Sequence, residues 1–120
     1  MKTVIIGATP NTERYAWLAA NMLNDYNFEF VPVGIKRGEV MGKPIQNIKD
    51  QPAIKGVHTV TLYIGPHHQP EYYDYIFSLN PQRIIFNPGT ENDKFMEVAQ
   101  AKGIETVVGC TLVMLRSKTY

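Results

Sequence analysis

Short apolar runs alternate along this chain with segments in which apolar residues recur every three or four positions. The runs are Thr3–Ile6, Phe28–Val33, Val60–Ile64, Arg83–Phe86 and Glu105–Val108. Each is four to six residues long and rich in Val, Ile or aromatic residues, the pattern of strands buried on both faces of a parallel sheet. A weaker run, Pro44–Ile48, offers a further short strand. Between the runs lie helical stripes. Tyr15, Leu18, Ala19, Met22, Leu23 and Tyr26 form the first. Tyr72, Tyr75, Ile76 and Leu79, closed by Asn80-Pro81, form the second. Phe95, Val98, Ala99 and Lys102 form the third, with Gly103 placed to end it in a left-handed turn.

Strands alternating with helices imply right-handed βαβ crossovers. The predicted fold is α/β, a Rossmann-like three-layer sandwich with a mostly parallel five-stranded sheet, formed by residues 1–120 as one domain. In such sheets ligands bind outside the carboxyl ends of the strands, so the loops that follow the strands are where chemistry is sought.

Charge narrows the ligand. Twelve basic residues stand against eleven acidic ones, so no net field draws the molecule to nucleic acid or an anionic membrane, and any anion site has to be local. A single cysteine, Cys110, excludes an internal disulfide and fits a reducing compartment. The first residues lack the apolar core of a signal peptide, and no run approaches membrane-spanning length; a cytoplasmic location is expected.

The first loop reads Gly7-Ala8-Thr9-Pro10-Asn11-Thr12-Glu13-Arg14. Gly7 permits a sharp turn and close approach of a ligand to the backbone, and Thr9, Asn11 and Thr12 are candidate helix caps. A phosphate here would gain from free N–H groups, from the helix dipole and from Arg14. A well-capped helix with Arg14 in solvent fits the same letters. The stretch lacks both the G-x-G-x-x-G dinucleotide fingerprint and the P-loop pattern.

The end of the second strand separates cofactor classes. An NAD site needs an acidic residue there for the ribose hydroxyls; this chain has Lys36 and Arg37 instead. That pair suits a phosphorylated ribose, the 2′-phosphate of NADP or the 3′-phosphate of coenzyme A, although a solvated pair would read alike. Gly65-Pro66 would border a flat ligand, with His67 or His68 starting the next helix. Gly89 permits close approach, and Thr90 with Asp93 resembles a capping box. No metal is expected from the adjacent histidines, no catalytic role is supported for Glu91 or Asp93, and Cys110 reads as a buried structural thiol.

Taken in order, Gly7–Asn11 with Arg14 and Tyr15, Pro32-Val33 with the Gly34–Gly42 loop, Thr61–Pro66, Asn87–Asn92 and Val107–Leu115 resemble the small stand-alone coenzyme A-binding proteins. A more distant likeness is to the coenzyme A-binding domain of the succinyl-coenzyme A synthetase alpha subunit. The resemblance implies that the first loop (Gly7, Ala8, Thr9, Asn11, Arg14) holds a pyrophosphate and that Lys36 or Arg37 holds the phosphorylated ribose. It implies too that Gly65 and Pro66 border the adenosine or pantetheine arm. The synthetase's phosphohistidine belongs to a separate domain with no counterpart in these residues, so its ligase activity is not implied. The expectation is a protein that binds coenzyme A or acyl-coenzyme A, with no catalysis evident. An NADP-dependent oxidoreductase and a nucleotide-free partner-binding subunit are the alternatives, and a homo-oligomer or protein partner is open. The Tyr72-Tyr73-Tyr75 stripe would serve an interface in the last case and the helix core otherwise.

Overall fold

A computed structural model describes residues 1–120. Its main sheet has six strands, all parallel: β1 (Lys2–Ile6), β2 (Glu29–Gly34), β5 (Gln46–Asn47), β6 (Val57–Leu62), β7 (Arg83–Phe86) and β8 (Glu105–Val108). They lie in the order β5-β2-β1-β6-β7-β8, and a separate antiparallel hairpin joins β3 (Glu39–Val40) to β4 (Lys43–Pro44). Helices α1 (Tyr15–Asp25), α2 (Tyr73–Ser78), α3 (Asp93–Ala101) and α4 (Thr111–Arg116) complete the chain.

The predicted α/β layering therefore holds, with one strand more than the five expected. β5 falls inside the weak Pro44–Ile48 run, is exposed, and pairs with Val33 and Gly34 at the sheet edge through its backbone. β6 begins and ends earlier than the apolar run Val60–Ile64: Val57 and Thr59 already pair with Lys2 and Thr3 of β1, and the Tyr63 N–H makes the last bond to β1, on Ile6 O, before the chain turns into the loop. β8 is an edge strand and only partly covered, contrary to the two-sided burial expected of it.

Alternation along the strands sorts the core into two faces. Val4, Ile6, Val60, Leu62, Ile84 and Phe86 face Tyr75, Ile76, Phe95 and Ala99 of α2 and α3. Ile5 and Phe30 face Ala16, Ala20 and Leu23 of α1 and Leu115 of α4. The buried face of α1 is its alanines with Leu23, whereas Tyr15 and Tyr26 of the expected stripe are exposed. Small side chains let the helix lie close to the sheet, and the bulky ones flank the contact. Val98 likewise sits off the buried face of α3.

Polar residues also line the α1/α4 side of the sheet. Thr3, Thr59 and Arg83 are register neighbours across β1, β6 and β7, and all are buried. The Arg83 Nε donates to Thr59 Oγ1 (3.0 Å) and its guanidinium lies 4.7 Å from the Tyr120 ring centre, while its Nη2 has no partner. The cation is held by a hydroxyl and an aromatic face rather than by a carboxylate.

The tyrosine stripe belongs to the core. Tyr73 stacks on Phe95 at 4.3 Å between ring centres, and Tyr75, 4% exposed, donates its hydroxyl to Pro52 O at 2.8 Å. Burial pushes the Tyr75 hydroxyl up to about 12. The unfolded chain then loses this proton first, so Tyr75 favours the fold fully below its unfolded value near 10 and loses that contribution as pH rises toward 12. Tyr75→Phe is expected to cost about 1 kcal/mol in urea unfolding at neutral pH and to make the decline above pH 10 shallower.

Candidate functional site

The strand order reverses between β1 and β6, which places a crevice outside their carboxyl ends. Five loops meet that rim, and each has a defined anchor.

In the first loop the N–H groups of Gly7 and Ala8 both donate to Val33 O, at 2.9 and 3.1 Å, tying the loop to β2. Gly7 has φ +97°, and a Cβ there would lie 2.9 Å from the backbone carbonyl of Tyr63. Its glycine is thus required by a protein neighbour as well as by the turn, where the sequence pointed to a ligand. The expected caps are also differently used. Arg14 is the N-cap of α1 and makes no side-chain capping bond. Thr9 Oγ1 accepts from the Asn11 N–H (3.2 Å), Asn11 Oδ1 accepts from the Glu13 N–H (3.0 Å), and Thr12 is exposed. The two side chains stiffen the loop before the helix starts. The N–H groups of Thr9, Thr12, Tyr15 and Ala16 have no acceptor within the protein. Arg14 is exposed beside them.

The second loop folds back over the first. A Cβ at Gly34 would stand 2.9 Å from Ala8 O, and one at Gly38 would stand 3.1 Å from the Pro10 ring. These two contacts bracket Lys36 and Arg37, which are exposed and take part in no ion pair. The chain thus brings Lys36, Arg37 and the free donors of the first loop to one rim.

After β6, Gly65 has an ordinary φ of −66° and open space where a Cβ would be. Nothing in the fold itself requires glycine there. Pro66, His67 and His68 form one 3-10 turn with both histidines exposed, and a second 3-10 turn (Pro70–Tyr72) precedes α2, so neither histidine starts that helix. No three His, Cys, Asp or Glu side chains gather as a metal site would need.

Gln69 is completely buried, a position that sequence reasoning missed. Its Nε2 donates to Ile64 O (3.0 Å) and Thr90 O (2.8 Å), and its Oε1 accepts from Asn92 Nδ2 (2.9 Å). It fastens the β6 loop to the β7 loop. Asn92, not Thr90, caps α3, accepting from the Phe95 N–H at 3.1 Å. The Thr90 hydroxyl is turned inward and donates to Asn87 O, which removes it from the capping box that was expected. Glu91 accepts from the Gly89 N–H at 2.8 Å.

Asn87, 2% exposed, was also missed as an individual residue. Its Nδ2 donates to Thr61 Oγ1 (2.7 Å) and Leu62 O (2.8 Å), and its Oδ1 accepts from the Thr111 N–H (2.9 Å). The Thr61 and Thr111 hydroxyls are paired at 2.8 Å. The ends of β6 and β7 and the start of α4 are thereby locked together. Above this lock lies a cleft of about 230 Å³ lined by Tyr15, Tyr63, Asn87, Pro88, Cys110 and Leu112. Cys110 is half-buried on its wall, not enclosed in the core as expected. The Tyr63 hydroxyl is sealed inside, close to the Thr61 and Thr111 hydroxyls but unpaired, and burial holds its pKa well above the usual tyrosine range.

The sequence matches the CoA binding domain family over residues 1–116. The chain belongs to that family. Among solved structures, a crystal structure of an uncharacterised protein is 57% identical, with a TM-score of 0.96 over 99% of this chain and 97% of the other. A Thermus thermophilus protein is 16% identical, with a TM-score of 0.83 over 99% of this chain and 90% of that one. A hypothetical protein from Pyrococcus horikoshii is 21% identical, with a TM-score of 0.81 over 98% and 82%. The last two share the fold. No curated protein matches the chain. Membership of the CoA-binding domain family supports a coenzyme A-binding role, and no helix is long and apolar enough to cross a membrane.

Proposed function

We propose that this family member binds coenzyme A at the rim where the first and second loops meet. The diphosphate lies against the unpaired N–H groups of Thr9, Thr12, Tyr15 and Ala16 with Arg14 beside it, and Lys36 or Arg37 takes the 3′-phosphate. The observation that carries this reading is the fold-back of Gly34 onto Ala8 and Gly38 onto Pro10, which brings Lys36 and Arg37 beside the free donors of the first loop. Gly65 with Pro66 borders the ligand. The empty space on the Cβ side of Gly65, where the fold itself makes no demand, supports a close ligand approach there.

Calorimetry with coenzyme A and dephospho-coenzyme A tests the assignment. A charge-assisted pair contributes about 1.5–3 kcal/mol, so dephospho-coenzyme A is expected to bind roughly 10- to 100-fold more weakly. Replacing Lys36 and Arg37 together by alanine should remove that difference. Equal binding of the two ligands by the wild type would eliminate the role of the pair. NADP belongs in the same panel, because its 2′-phosphate suits the same cations; tighter binding of NADP than of coenzyme A would favour the oxidoreductase reading.

A further inference from the structure

The two edges of the main sheet are finished differently. β5 is two residues long and polar, with Pro44 before it and Lys49 after it. Short length, proline and lysine are the usual guards of an edge against pairing with another chain. β8 carries neither proline nor lysine, and its last three residues, Thr106, Val107 and Val108, are uncharged. The N–H groups of Glu105 and Gly109 donate inward, to Gln82 O and Phe86 O. By the alternation of a strand, the N–H and C=O groups of Thr106 and Val108 point outward from the sheet, where no further strand lies.

Apolar surface flanks these open groups on both faces. Val108 is in register with Phe86, on the α3 side, and is 58% exposed. Val107 is on the other side, where it and Met114 of α4 both border Gly109. Val113, next to Met114, is also 58% exposed.

The edge is complementary to itself. A second copy turned about a two-fold axis through Val107 would face Thr106 with Val108 and Val108 with Thr106, each pair exchanging both backbone bonds. The two Val107 side chains would meet at the axis. Glu105, the one charged residue of the strand, would fall opposite Gly109 rather than opposite its own mate. A net charge of +1 sets up little repulsion between copies. We propose that β8 pairs antiparallel with β8 of a second copy, joining two six-stranded sheets into one. The strands of the two copies then run in opposite directions, so the two carboxyl-end rims lie apart.

Gel filtration with light scattering over a concentration series tests the association. It should give twice the 13.6 kDa chain mass, falling toward the single-chain value on dilution. Val108→Lys places a guarding cation on the edge and should weaken association by roughly tenfold or more, with the circular dichroism spectrum unchanged. Cross-linking tests the register. In a Cys110→Ser background, Val107→Cys sets two thiols across the axis at the Cα spacing of a non-hydrogen-bonded pair, about 4.5 Å, and mild oxidation should yield a covalent dimer. Glu105→Cys, roughly 14 Å from its mate in the same register, should yield none. A single-chain mass at every concentration would leave the edge to a different partner and overturn the proposal. So would a dimer that Val108→Lys leaves intact, the absence of a cross-link through position 107, or cross-linking as efficient through position 105.

Discussion

Gly7→Ala is expected to destabilise the protein by about 3 kcal/mol and to lower its melting temperature by on the order of 10 °C. Two costs add. The backbone at φ +97° is one that side chains rarely adopt, and the new methyl would sit 2.9 Å from the Tyr63 carbonyl. Neither partner can easily yield. Tyr63 donates its N–H to Ile6 O at 2.8 Å, and the N–H groups of Gly7 and Ala8 are fixed on Val33 O. The first loop is pinned from both neighbouring strands. Gly65→Ala supplies the contrast on the same rim: with φ −66° and nothing near the added methyl, it should change stability by less than about 0.5 kcal/mol. Urea unfolding of the two variants reads the difference directly. A Gly7→Ala variant as stable as the wild type would mean that the first loop is not held against β6 as described.

The layers of the fold were legible because β1, β2, β6 and β7 are short apolar runs at the centre of the sheet, where hydrophobic patterning is strongest. β5 was faint for the opposite reason. Gln46 and Asn47 are exposed and join the sheet through backbone hydrogen bonds, which no side-chain pattern records. The two-residue strands β3 and β4 escaped notice likewise. In α1 the spacing of large apolar residues pointed to a face bounded by Tyr15 and Tyr26, yet the helix buries Ala16, Ala19, Ala20 and Leu23. Periodicity gave the helix, and close packing on the sheet chose the small side chains.

At the candidate site, residue type was informative and residue placement was not. Lys36 and Arg37 stood out because a cationic pair replaces an expected acid. Their nearness to the first loop depends on Gly34 meeting Ala8 and Gly38 meeting Pro10, contacts between segments more than 25 residues apart in the chain. Thr9 and Asn11 are good capping residues by chemistry, but they are consumed within the loop before α1 begins. Gln69 and Asn87 gave no individual signal, since a polar residue near a proline or glycine reads as a solvated loop. Only the fold buries them, and burial is what obliges each to satisfy its hydrogen bonds.

The cost of breaking one such group follows from that obligation. Asn87→Ala leaves the Thr111 N–H and Leu62 O buried without their partner, and each lost pairing costs roughly 1–3 kcal/mol, so a total of about 3 kcal/mol is expected. Asn87→Asp should behave differently with pH. Its carboxylate can still accept from the Thr111 N–H, but its second oxygen would face Leu62 O. Burial and that carbonyl would raise its pKa in the folded state, so protonation, which restores a donor, favours the fold. The aspartate variant should therefore come nearest to wild-type stability in acid, below the unfolded carboxyl value, and fall away as pH rises through the raised folded value. Thr61→Val tests whether the lock acts as a unit, because Thr61 Oγ1 receives the Asn87 amide and pairs with the Thr111 hydroxyl. Once Asn87 is alanine, removing that hydroxyl should cost less than it does in the wild type, and the double mutant should fall short of additivity by about 1 kcal/mol. Strict additivity in urea unfolding would mean that the ends of β6, β7 and α4 are held independently, and that the wall of the cleft is not one cooperative piece.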